Sequence, residues 1–78
     1  MKSVIKICNM ESHEDIKLIQ ETVARNSGVI ASEISLAKKE IIIIYNEAFL
    51  NIENILNSIE DLGYIVVWFL IIKVNIKK

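Results

Sequence analysis

An α+β sandwich, in which a four-stranded antiparallel sheet carries two helices on one face, is predicted by three observations. Apolar periodicity runs along the chain in the order strand, helix, strand, strand, helix, strand. The chain has 78 residues, 53% of them hydrophobic and 24% charged, which gives a single globular domain and not a disordered tail. Breakers are scarce, with two glycines and no proline, and the glycines follow the two helical patterns. A chain of this length hides only roughly 60% of the surface its unfolded form exposes, so it has one thin core.

"KSVIKIC", residues 2–8, alternates as a strand, with Ile5 and Ile7 on one face and Val4, Lys6 and Cys8 on the other. From Ser12 to about Asn26, Ile16, Ile19 and Val23 recur at helical spacing, and "NSG" ends the pattern with Gly28 able to take positive φ. "VIASEISLA" and "EIIIIYN" read as a hairpin turning around Lys38 and Lys39. "AFLNIENILNSIEDLG" is the second helix, with Ile52, Ile55, Leu56, Ile59 and Leu62 on its apolar stripe. "YIVVWFLII", residues 64–72, is followed by Lys73, Val74 and Ile76 in alternation with polar residues. A membrane helix needs about 20 apolar residues, so this β-branched and aromatic run reads as a long buried strand. The order is that of the ferredoxin-like βαββαβ sandwich with an extended C-terminal strand.

Composition excludes several functions. A formal charge of −1 with scattered lysines lacks the basic surface that phosphates require. RNA-recognition domains of this fold stack bases on aromatics of the middle strands, where Tyr45 is the single aromatic here. One cysteine forms no internal disulfide and no thiolate cluster, and no signal-peptide pattern precedes the first strand, so a cytoplasmic location is expected. Cys8 reads as a small filler on the sheet face away from the helices. Pairing it with His13 as nucleophile and base lacks an orienting third group, so no enzyme is expected.

From about residue 2 to residue 67 the chain resembles the heavy-metal-associated domains, which occur as copper chaperones and as N-terminal modules of metal-transporting P-type ATPases. That family runs strand, Gly-Met-x-Cys-x-x-Cys, helix, Gly-Val, hairpin, Tyr-Asp, and a second helix closing on Gly-Tyr. The counterparts are Asn9, Met10, Ser12 and Asp15, then Gly28 and Val29, Ile34 and Leu36, Ile41 and Ile43, Tyr45 and Asn46, and "IEDLGY" through Tyr64. The resemblance implies one domain over residues 1–78 with 68–78 as an extension. It also implies a metal-transport protein as partner, and a transporter-type Tyr64 beside the metal loop. The two metal thiolates of the family fall on Ser12 and Asp15, a hydroxyl and a carboxylate, and soft Cu(I) selects neither.

Two readings of "NMESHED" stay open. Ser12 with Asp15 three residues on has the form of a capping box, with Glu11, Glu14 and Asp15 near the positive end of the helix dipole. The same stretch offers Glu11, His13, Glu14 and Asp15 as oxygen and imidazole ligands for a divalent Zn-type ion, although residues at a helix start diverge and a full site would need a second chain. In the first reading there is no cofactor, and the chain acts by protein contact or as a regulatory module.

By alternation Val4, Ile42, Ile44, Ile65, Val67 and Phe69 face away from the helices. An uncovered apolar sheet face and a long apolar edge strand both call for a partner. Either residues 68–76 fold back over the face, or a homodimer forms through the fourth strand and this face.

Overall fold

The computed structural model describes residues 1–74, the side chains of residues 68–74 excepted. Its elements are β1 (Lys2–Ile7), α1 (His13–Ala24), β2 (Val29–Ser35), β3 (Glu40–Tyr45), α2 (Ile52–Asp61) and β4 (Val66–Val74). The strands form one antiparallel sheet in the order β2-β3-β1-β4. This is the expected ferredoxin-like α+β sandwich.

Strand alternation decides what the core contains. Ser3, Ile5 and Ile7 of β1 and Ile41, Ile43 and Tyr45 of β3 are buried, while the residues between them are half-buried. Ile19 and Val23 of α1 and Ile52, Ile55, Leu56 and Ile59 of α2 close the core from the helical side. Each such side chain, fully buried, contributes about 1.5–3 kcal/mol. Ser3 is the one buried polar residue among those described, and its Oγ lies 3.0 Å from the Tyr45 hydroxyl. The Met1 amino group donates to the Tyr45 carbonyl at 3.0 Å, and the Tyr45 amide donates to Met1, so Met1 extends the ladder by one pair.

Several boundaries differ from the sequence expectation. Helix α2 begins at Ile52 and not at Ala48, because the Asn51 side chain accepts from the Glu53 amide and takes the N-cap. Asn46 organises the residues before it, its backbone carbonyl accepting from Phe49 and Leu50 and its side chain from Ala48. Leu50 consequently enters the core from a turn, while Phe49 is 77% exposed. Leu62 is the C-cap of α2 and not part of its buried stripe, and it is 38% exposed. Lys39, at φ 53, provides the left-handed residue of the β2–β3 turn, as the hairpin around Lys38 and Lys39 requires.

Cys8 corrects a further expectation. The regular β1 ladder ends at Ile7, and Cys8 is an exposed thiol beyond it, its backbone N–H donating to the Ile65 carbonyl at 2.9 Å. Ile65 precedes β4 and is 60% exposed, Val66 is buried and Val67 is half-buried. The backbone of β4 runs beside β1 as far as the pair Lys2–Val74, with a register shift between Val4 and Lys6. It therefore continues the sheet through Val74 and does not fold back over it. Phe69 lies within that shift and its side chain, like residues 75–78, is outside the described part. Among the described residues no helix is long and apolar enough to cross a membrane.

Candidate functional site: the loop between the first strand and first helix

The loop of residues 8–12 joins the centre of the sheet to the start of α1. Met10 is fully buried and anchors it, so its thioether lies in the core. Ser12 is the N-cap: its extended backbone (φ −133, ψ 166) aims Oγ at the Asp15 amide, 3.2 Å away. Asp15 reaches back, and its Oδ2 accepts from the amides of Glu11 at 2.9 Å and Ser12 at 3.0 Å. The capping box read from the spacing is therefore formed on both sides.

The second oxygen of Asp15 is also engaged. The Tyr64 hydroxyl, 49 residues away, donates to Oδ1 at 2.5 Å. The Tyr64 bond is the main reason the Asp15 carboxyl is held down at about 2, followed by the Glu11 bond; burial opposes them, and the Ser12 bonds add the smallest share. Tyr64 is pushed up to about 12, first by burial and then by its bond to and the charge of Asp15. Across ordinary pH the pair is carboxylate and phenol, the combination in which the bond is strongest.

Asn9 makes a second tie. Its Nδ2 donates to the Gly63 carbonyl at 3.2 Å and its Oδ1 accepts from the Ile65 amide at 2.7 Å. On the other side the Lys39 ammonium donates to the Cys8 carbonyl at 3.4 Å, and the Lys6 ammonium to the Lys38 carbonyl at 2.7 Å. The loop is thus fastened to both turns that flank it.

The candidate ligands are not brought together. His13, Glu11 and Glu14 are exposed, whereas Asp15 is half-buried with its oxygens held by three donors. Among the described residues no group of three or more His, Cys, Asp or Glu could hold a metal ion. A hydroxyl and a carboxylate that already accepts three hydrogen bonds from backbone and phenol donors do not fit Cu(I), which takes sulfur ligands. The sequence reading missed the roles of Asn9 and of the Tyr64 hydroxyl. Their only local signal is an amide and a phenol near polar turns, and the partners lie about 50 residues apart.

No family model matches the chain, and no curated protein matches it. Solved structures do. The CopZ metallochaperone is 18% identical with a TM-score of 0.83, over 86% of this chain and 100% of that one. A copper-binding domain from HMA7, a P-type ATPase, is 16% identical with a TM-score of 0.79, over 86% of this chain and 92% of that one. The yeast copper transporter domain Ccc2a, solved in apo and Cu(I)-loaded states, is 22% identical with a TM-score of 0.78, over 83% of this chain and 89% of that one. At these identities the likeness is one of backbone, and with the expected element order it shows that the chain has the heavy-metal-associated fold.

Proposed function

We propose that the chain is a protein-contact or regulatory module on a heavy-metal-associated scaffold, with its loop committed to structure and not to metal capture. One observation carries this: both oxygens of Asp15, at the position where the family resemblance implies a thiolate, are taken up by the Glu11 and Ser12 amides and the Tyr64 hydroxyl. Releasing that carboxylate for a metal would break three bonds to an ionised acceptor, each stronger than a neutral hydrogen bond. The fold's occurrence in a metallochaperone and a transport ATPase makes a metal-transport protein the natural class of partner.

Titration of the purified chain with Cu(I), Zn(II) and Co(II), followed by calorimetry and thermal melting, tests this. No saturable heat and an unchanged melting temperature are expected, and His13→Ala melts like the parent. A stoichiometric Zn(II) heat that disappears in His13→Ala would overturn the reading in favour of a site built from Glu11, His13, Glu14 and Asp15.

A further inference from the structure

The outer face of the sheet is a grid that the strand register defines. Ala31, Ile44 and Lys2 share one row across β2, β3 and β1, Glu33, Ile42 and Val4 the next, and Ser35, Glu40 and Lys6 the third, which Val67 extends on β4. Val4, Ile42, Ile44 and Val67 are half-buried there, facing away from the helices. Ala31, Glu33, Ile42 and Ile44 line a shallow hollow of about 120 Å³ on the same face.

We propose that this face docks a second copy of the chain, sheet on sheet, about a twofold axis parallel to the strands and running between β1 and β3. The proposal rests on the protein-contact reading above and adds a second copy of the chain to the partner class given there. Charge selects both the occupant and the axis. The order β2-β3-β1-β4 places β1 and β3 at the centre, so this rotation lays β1 of each copy over β3 of the other. Val4 then meets the partner's Ile42, and one row further Lys6 meets the partner's Glu40 while Glu40 meets the partner's Lys6. An axis across the strands would instead stack β1 on β1 and set the row of Lys2 over the row of Lys6, opposing like charges. An apolar centre flanked by reciprocal Lys6–Glu40 pairs is what an isologous interface requires, with Lys2 in the outermost row and Glu33 on the edge strand outside those pairs. Packed sheets lie about 10 Å apart with strands within about 30° of each other, a gap that Lys and Glu side chains span.

Edge-to-edge pairing through β4 is the less favoured geometry. The register shift in β4 between the rows of Val4 and Lys6 interrupts its ladder, and such irregularities blunt an edge. Four strands at about 4.8 Å spacing and five residues at about 3.4 Å give a flat footprint of roughly 300 Å² per copy. At roughly 600 Å² for the two copies together, this falls below the roughly 1,000 Å² of a stable interface, so the dimer is a weak, transient one.

Analytical ultracentrifugation of the full chain over roughly 5–500 µM, the range suited to small interfaces, is expected to show reversible monomer–dimer association. Lys6→Glu and Glu40→Lys each weaken it about tenfold or more, as like charges opposed across an interface do. An equimolar mixture of the two variants restores association. Lys6 and Glu40 are also cross-strand neighbours within one chain. Mixing cannot repair that internal pair, so the rescue reads the contact between copies alone. On the unaltered chain, isotope-filtered NMR of a mixed-label sample is expected to show contacts from Val4 methyls to the partner's Ile42, which removes any dependence on how the variants fold. A parent chain that stays monomeric over the range, a mixture no tighter than either variant, or filtered contacts confined to β4 would overturn the proposal. The metal titrations fail or succeed independently of these outcomes.

Discussion

Asp15 and Tyr64 set the acid and alkaline limits of the loop. The folded carboxyl sits near 2 against its ordinary 3.8, so its stabilisation is complete above pH 4 and lost as pH falls through 4 toward 2. Tyr64 sits near 12 against its ordinary 10, so its contribution is complete below pH 10 and lost as pH rises through 10 toward 12. Tyr64→Phe removes the largest influence lowering Asp15. Its carboxyl titration, followed by NMR, is expected to move up from about 2 toward 3.8, and the acid-unfolding midpoint to rise with it. A second residue pair lies inside the core. Tyr45→Phe strands the buried Ser3 hydroxyl, which is expected to destabilise by about 1–3 kcal/mol in denaturant melts, and adding Ser3→Ala is expected to recover part of that loss. At this scale the Ser12–Asp15 box was legible, because a cap is a local pattern. The Tyr64 bond to Asp15 and the Asn9 bridge were not, because each joins residues that meet only after the sheet has formed.

The elements themselves were legible wherever periodicity and termination agreed. Strand β1 ends at Ile7, one residue short of the alternation, while α1 begins where the Ser12 signal places it and Gly28 takes φ 97 after α1. Helix α2 shows where periodicity alone misleads. Ala48, Phe49 and Leu50 continue an apolar pattern, yet the Asn46 and Asn51 side chains offer the backbone better partners than a longer helix would. Removing either cap by Ser12→Ala or Asn51→Ala is expected to lower stability by about 0.5–2 kcal/mol, measured by urea unfolding. Gly28→Ala is expected to exceed about 1 kcal/mol. Its φ is unfavourable for alanine, and the added Cβ would stand 3.0 Å from the Leu50 Cβ, in the turn that delivers Leu50 to the core.

On the scale of the whole molecule, one thin core supports two surfaces of different character. The helical side is closed by α2, whose Ile55 is fully buried among residues from both layers. Ile55→Ala is expected to remove about 2–5 kcal/mol, a large share of the roughly 5–15 kcal/mol that domains possess, so its thermal transition should fall sharply. The sheet side keeps half-buried apolar rows whose neighbours bear opposite charges. The Asn9 bridge has a consequence for motion. The Ile65 amide precedes β4 and belongs to no helix or strand, yet it donates to the Asn9 side chain 56 residues away in sequence. An exposed segment of this kind would ordinarily exchange its amide proton quickly with solvent. Here that single proton acts as a reporter, its exchange rate recording how often the loop before α1 and the turn after α2 come apart together.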